Sequence, residues 1–315
     1  MASKLAVVAA SAVSVVSAST PIPIKRAAIA QLRSTSCKVT NLRHVAQCAG
    51  IAKREEACML FLPECFGFLG DSSRQTLENA ESLTVRQDEG NDDAHAGFYN
   101  ALADIVRDAS SSTAESHFPS EWEHTPQNTR DILLGGISRI AKESGLWISG
   151  GGMHERDAPS SPGSSTSTPR VYNTHIIVNS DGELVSTYRK IHLFDVSIPS
   201  QNIHLVESKT TAPGTELVVC DSPLGLLGLS TCYDMRFPEQ YTRLQELGAQ
   251  ILLAPSAFTV PTGRAHWHTL LRCRAIENQC YVLAAAQFGV HNEKRSSYGH
   301  SIAIGPWGTV LADAG

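Results

Sequence analysis

The stretch GLSTCYDMRFPEQY, Gly228 to Tyr241, closes an apolar, strand-like run with a single cysteine, Cys232, and reaches Pro238 six residues later. Pro238 suits a first helical position, where its missing N–H leaves nothing unpaired. The apolar positions after it recur at helical spacing, and Gly248 is a plausible stop. Cys232 therefore belongs near a strand-to-helix junction, where backbone donors and a partial positive charge favour a thiolate. Taken alone, a buried structural cysteine is the commoner use of this residue. A cysteine nucleophile needs a base or a lowered pKa. Twelve histidines are available, yet none sits in a protease-like cysteine signature. An acid and a lysine are the other options: FLPECFGF puts Glu64 past one apolar run, and STYRKIHLFD puts Lys190 past another. Strand ends are common active-site positions in α/β folds. Singly, each has a bland explanation, the glutamate as a solvated turn residue and the lysine as surface charge.

The elements that must position these residues alternate in type. KRAAIAQLR reads as a strand, VTNLRHVAQCAGIAKRE as a helix and ACMLFLPE as a short strand, which together predict an α/β layered domain. Residues 70 to about 126 are polar and read as a long, partly disordered insertion, with a possible helix in AGFYNALADIVRDA. Helical spacing resumes in TRDILLGGISRIAKESG and stops near Gly145, before the strand LWISGGGMHE. RDAPSSPGSSTSTPR is a low-complexity loop. Hairpins are expected at Asp181-Gly182, at Ser222 to Gly225 and at Trp307-Gly308.

Composition narrows the class. The chain has 315 residues, 42% of them hydrophobic, with a net charge of −5 and no long basic run, so a soluble globular protein without a nucleic-acid partner is expected. Eight scattered cysteines with no CxxC pair fit a reducing compartment and exclude a zinc ribbon. The apolar stretch Leu5 to Ala18 is too short for a typical membrane span. Residues 1–23 read as a targeting segment or a disordered tail, so the compartment is cytoplasmic or mitochondrial. His266 and His268 are two apart, with no evident third ligand, so neither a metal nor another cofactor is expected.

Together, Glu64, Lys190 and Cys232 resemble the nitrilase superfamily, whose triad runs Glu, Lys, Cys in chain order. The resemblance spans most of residues 24–315 and includes PSAF at 255–258, GRAHW at 263–267, RAIENQCYV at 274–282 and PWG at 306–308. CYDMRFPE and SAFTVPTGRAHW look most like the Nit branch. The resemblance implies a four-layer α-β-β-α sandwich that pairs into a homodimer through a helical face, for which Ala265–Gln279 is one candidate. It also implies that the chain stops short of a C-terminal strand and tail.

The roles implied are those of an amidase working through a cysteine thioester. Glu64 would take the thiol proton, Cys232 would attack the amide carbon, ammonia would leave, and water activated by Glu64 would hydrolyse the thioester. Lys190 and the backbone N–H of Tyr233 would stabilise the oxyanion, each such donor being worth roughly 3 kcal/mol. Glu207 matches a second glutamate near the triad and would orient Lys190 or substrate. Arg236 would pair with a substrate carboxylate or make a salt bridge with Asp234 or Glu239. Phe258 and Thr262 fall on a loop that resembles the branch's substrate loop. The substrate expected is a small omega-amide of a 2-oxo acid, either deaminated glutathione in a metabolite-repair role or 2-oxoglutaramate and 2-oxosuccinamate. A catalytically silent binding protein is the alternative from another class.

Overall fold

The computed structural model describes residues 4–10, 25–83, 92–111, 129–158, 169–198 and 203–315. Two six-stranded sheets form its centre. The first contains β1 (Lys4–Ala10), β2 (Lys25–Gln31), β3 (Ala57–Leu62), β4 (Trp147–Ala158), β5 (Arg170–Val178) and β6 (Leu184–Arg189), side by side in chain order. Its inner strands β2, β3 and β4 run parallel, and their near-continuous apolar sequences suit burial on both faces.

A short hairpin, β7 (Asp195–Ile198) and β8 (Ile203–Val206), follows the first sheet. The second sheet contains β9 (Val219–Cys220), β10 (Leu227–Gly228), β11 (Ile251–Leu253), β12 (Tyr281–Ala284), β15 (Ile302–Ile304) and β16 (Val310–Asp313). Between β12 and β15 the chain makes a separate hairpin, β13 (Phe288–Asn292) and β14 (Arg295–Tyr298). The hairpins expected at Asp181-Gly182, Ser222–Gly225 and Trp307-Gly308 join β5 to β6, β9 to β10 and β15 to β16.

Three apolar clusters define the layers. Ala27, Ile29, Met59, Phe61 and Tyr188 of the first sheet pack on Leu227, Leu229, Ile251, Leu253 and Leu283 of the second. The other face of the first sheet is covered by α1 (Lys38–Arg54), α3 (Asp92–Ser110) and α4 (Leu133–Ser144), with the short α2 (Ser73–Glu78) ahead of α3. The outer face of the second carries α5 (Pro238–Glu246) and α6 (Val260–Asn278) around Trp267. The order is therefore α-β-β-α, as the resemblance implies. Pro238 opens α5, and Gly145, at φ 71°, closes α4 in the left-handed conformation that glycine adopts without strain.

Several sequence expectations change. Lys4–Ala10, set apart as targeting segment or tail, pairs antiparallel along β2, with Lys4 opposite Gln31 and Ala10 opposite Lys25. The middle of the expected insertion is a full member of the helix layer: Phe98, Leu102 and Val106 of α3, spaced four apart, are buried against α1 and α4. Residues 84–91 and 112–128 of that stretch, and 159–168 of the low-complexity loop, lie outside the described residues. Helix α6 begins at Val260, five residues before the expected start. The hairpins β7–β8 and β13–β14 had no turn signal strong enough to announce them.

Candidate active site

Cys232 opens a 3-10 turn, Cys232–Arg236, four residues past β10. Its backbone is left-handed, at φ 53°, and its N–H donates to Pro255 O at 2.9 Å, beyond the end of β11. A non-glycine residue in this region marks a locally enforced conformation. Asp234 supplies the enforcement. Its fully buried carboxylate accepts from Thr231 N at 2.9 Å, from Tyr188 Oη at 2.7 Å, and from His192 N and Nδ1 at 3.0 and 2.8 Å. Tyr188 and His192 flank Lys190, so one carboxylate ties the cysteine turn to the lysine segment.

Lys190 follows β6 directly and is buried. Its Nζ donates to Glu64 Oε1 at 3.1 Å and to both oxygens of Glu207 at 3.1 and 3.0 Å. Burial alone would strip its proton, but the charges of Glu207 and Glu64 hold its pKa well above the ordinary lysine value. Glu64, two residues past β3, also accepts from Asn173 Nδ2 at 2.8 Å and from Ala257 N at 2.9 Å. Burial favours its neutral form, yet the Lys190 charge and hydrogen bond, with Arg295 and the Cys232 thiol, hold its carboxyl well below the usual range. Gly152 makes the room: a Cβ there would come within 2.7 Å of Asn173 Oδ1 and 3.3 Å of Glu64 Cγ.

The thiolate expectation is corrected here. Burial, and then the Glu64 charge, push the Cys232 thiol well above its ordinary value, outweighing Lys190 and the Ala257 backbone donor. A short 3-10 turn in a buried, carboxylate-lined site cannot offset that. The resting site therefore sets a thiol beside an ionised carboxylate. Such a pair is able to work by general-base catalysis, in which a nucleophile is generated as it attacks.

These groups open onto a cavity of about 830 Å³. Glu64, Lys190, Glu207, Cys232, Tyr233, Arg236, Phe258 and Thr262 all line it, so every residue proposed from the sequence reaches one place. Gly70 to Ser73 and Thr76 form part of the wall, which makes the start of the presumed insertion a pocket element. Tyr233 sits in the first turn after Cys232, where an N–H has no intrahelical acceptor and is available to an oxyanion. Arg236 makes neither alternative salt bridge; it contacts His266 Nδ1 at 3.2 Å and lies 5.9 Å from the Phe258 ring centre. Thr262 belongs to the first turn of α6 and not to a loop, with its hydroxyl on Thr259.

Asn173, Gly152, the Ala257 N–H, His154 and Arg295 escaped sequence reasoning. Only the GGG run at 150–152 carried a usable signal, a close backbone approach. His154, half-buried in the cavity wall, is held neutral, its pKa lowered to about 4 by desolvation and then by the Arg295 charge.

Among the described residues, His268, His300 and Asp313 bring ring nitrogens and carboxylate oxygens within 4.8 Å of one another. They lie outside the cavity, and ring-to-carboxylate hydrogen bonds of 2.9 and 3.0 Å account for the cluster. His266 is not part of it. No described helix is long and apolar enough to cross a membrane.

The chain is similar in sequence and fold to known proteins. Deaminated glutathione amidase of Dictyostelium discoideum is 42% identical over 92% of this chain and 83% of its own length. The crystal structure of Nit3 from Saccharomyces cerevisiae, a member of branch 10 of the nitrilase superfamily, matches with a TM-score of 0.66 at 30% identity, over 92% of this chain and 85% of that one. The C. elegans NitFhit crystal structure matches with a TM-score of 0.66 at 36% identity over 90% of this chain, which spans 56% of that longer protein. Residues 26–315 match the carbon-nitrogen hydrolase family. The chain belongs to that family, and its α-β-β-α sandwich is the nitrilase fold.

Proposed function

We propose that the chain is a cysteine amidase whose substrate is deaminated glutathione. Glu64 takes the proton as Cys232 Sγ attacks the amide carbon, and Lys190 with the Tyr233 N–H carries the charge on the carbonyl oxygen. Collapse of the tetrahedral adduct expels the amine with a proton from Glu64. Water, deprotonated by Glu64, then hydrolyses the thioester. Glu207 fixes Lys190 in place through two hydrogen bonds. In deaminated glutathione the amide nitrogen belongs to the cysteine residue, so the amine released is cysteinylglycine. The expectation of ammonia applies only to a primary amide such as 2-oxoglutaramate.

The observation that carries the substrate class is the charge of the wall. Outside the Glu64–Lys190–Glu207 group, the cavity carries Lys209, Arg236, Lys294 and Arg295 against the single acid Asp71. A chain with a net charge of −5 thus presents an electropositive pocket. Such a pocket favours a polyanionic amide and concentrates it at the site. Arg236, with no carboxylate partner among the described residues, suits the carboxylate beside the 2-oxo group. The name of the Dictyostelium relative supports the same reading.

A second reading, omega-amidase on 2-oxoglutaramate, draws on the pieces IHLFDVSIP, from Ile191, and VESKTTAPG, from Val206, which resemble such enzymes and supply Phe194, Val206, Glu207 and Lys209 to the wall. Both substrates yield 2-oxoglutarate, so a single product assay compares them. The proposed outcome is faster 2-oxoglutarate formation from deaminated glutathione, lost in Cys232→Ala. Preference for 2-oxoglutaramate selects the second reading, and no product from either refutes the amidase.

Residues 24–315 are proposed to act as one hydrolase domain. We also propose a homodimer, with exposed Ile276 on α6 and Trp307 as part of its face. Sedimentation as a monomer at micromolar concentration refutes it. Eight unpaired cysteines suit a cytoplasmic or mitochondrial site.

A further inference from the structure

We propose that Arg295, on the β13–β14 hairpin, anchors a second carboxylate at the far end of the substrate, and so selects the tripeptide-sized amide over short omega-amides. The inference rests on the amidase reading above and names the residue that sets its specificity.

Arg295 begins β14, opposite Asn292, and lines the cavity. Its side chain makes no hydrogen bond or ion pair among the described residues, unlike Arg156 and Arg189, which are held by Asp131 and Glu155. It lines the same cavity as Glu64, Lys190 and Cys232, and its charge helps to lower the pKa of the Glu64 carboxyl and of the His154 ring.

The hairpin that carries Arg295 is pinned on both sides. His291 binds Ser34 O through Nδ1 and Ser297 Oγ through Nε2, each at 2.9 Å, and Asn292 Nδ2 reaches Gly70 O at 3.3 Å. Tyr298 N donates to Phe258 O at 2.9 Å, at the other edge of the pocket. An arginine without an acid, on a braced hairpin, is a preorganised receptor for a planar anion.

Arg236 and Arg295 come from separate elements, the 3-10 turn after Cys232 and the β13–β14 hairpin, yet they share one cavity. Deaminated glutathione carries two carboxylates, one beside the 2-oxo group and one on the glycyl end. The cavity holds, for each, one guanidinium without an acid partner among the described residues. 2-Oxoglutaramate has only the first carboxylate and leaves Arg295 without a ligand.

The test is the selectivity ratio, kcat/KM for deaminated glutathione over kcat/KM for 2-oxoglutaramate, in wild type, Arg295→Gln and Arg295→Lys. A charge-assisted pair of this kind predicts that Arg295→Gln lowers the ratio by about 10- to 100-fold, chiefly through KM for the larger substrate. Arg295→Lys restores part of it. Any influence of Arg295 on Glu64 is common to both substrates and cancels in the ratio. Deaminated glutathione with its glycyl carboxylate converted to an amide provides the matching half of a double-mutant cycle: its penalty on wild type disappears on Arg295→Gln. An unchanged ratio, or equal penalties on both proteins, overturns the assignment while leaving the amidase intact. A wild-type protein that turns over neither substrate refutes the amidase reading itself, so the two failures are distinguishable.

Discussion

Two buried lysine–glutamate pairs in this protein invite comparison. Lys38–Glu81 and Lys190–Glu64 are equally sequestered, with side-chain exposures of 3% and 1% for the first and 2% and 5% for the second. Glu81 is a remote helix cap. Besides Lys38 at 2.6 Å, it accepts from Ile132 N at 3.3 Å and Leu133 N at 2.8 Å, at the start of α4. Every partner it has is structural. Glu64 faces a thiol and a cavity, and its lysine is shared with Glu207. At Glu81 burial outweighs Lys38 and raises the carboxyl pKa; at Glu64 Lys190 and its neighbours outweigh burial and lower it. Depth and residue type are therefore not what makes a site. An additional charge, a reactive neighbour and an open side are.

The largest effect that distinguishes the pairs is on turnover. Cys232→Ala removes the partner that only Glu64 has, and product formation is expected to fall by at least about 10⁴-fold with the circular dichroism spectrum retained. Substantial residual turnover would remove the covalent mechanism. Next, Glu64→Gln is expected to lower kcat by about 10²- to 10⁴-fold, as loss of a general base does. Glu81→Gln, outside the cavity lining, is expected to keep kcat within about threefold. Similar losses from both would erase the distinction.

Stability reverses the ranking of chemistry and capping. Glu81→Leu leaves two buried N–H groups without their acceptor and takes the carboxylate from Lys38, which keeps only the Thr129 carbonyl among the described residues, so urea denaturation is expected to show a loss of about 2–4 kcal/mol. Glu81→Gln keeps an acceptor oxygen and is expected to lose about 1 kcal/mol or less.

The subtlest difference is in pH dependence. Glu64 has a folded pKa below its ordinary 4.5, so its stabilisation is present above 4.5 and disappears as pH falls toward about 2. Glu81 has a folded pKa above 4.5, so its contribution is greatest below 4.5 and declines as pH rises through the folded value. Stability differences between wild type and each Glu→Gln variant, measured from pH 3 to pH 7, are expected to slope in opposite directions. Parallel slopes would show that the two carboxylates share one environment.

The sequence carried the triad because each member follows an apolar run by one to four residues, a pattern visible without coordinates. It carried the sandwich only through resemblance, since alternation of strands and helices supports no more than α/β. The supporting shell was hidden for a physical reason. The Ala257 N–H and the Pro255 carbonyl that hold Glu64 and Cys232 are backbone groups, which every residue possesses. Asn173 sits in an ordinary strand, and Arg295 looked like one more surface charge near Lys294. Helix α3 was obscured by polar flanks, although Phe98, Leu102 and Val106 kept helical spacing. The thiolate expectation failed because local helix electrostatics was weighed without the burial that opposes it.

The site draws on both sheets. Glu64, Asn173 and Lys190 hang from the first, while Cys232 and Ala257 belong to the second, and the apolar layer between the sheets, with the hydrogen bonds of Asp234 and Glu64 that cross it, keeps them in step. That layer acts as the bearing of a two-part instrument. A slip along it, too small to melt either sheet, would separate Glu64 from Cys232. Heat should therefore silence the protein several degrees before it unfolds, and tighter packing between the sheets should widen the range in which it works.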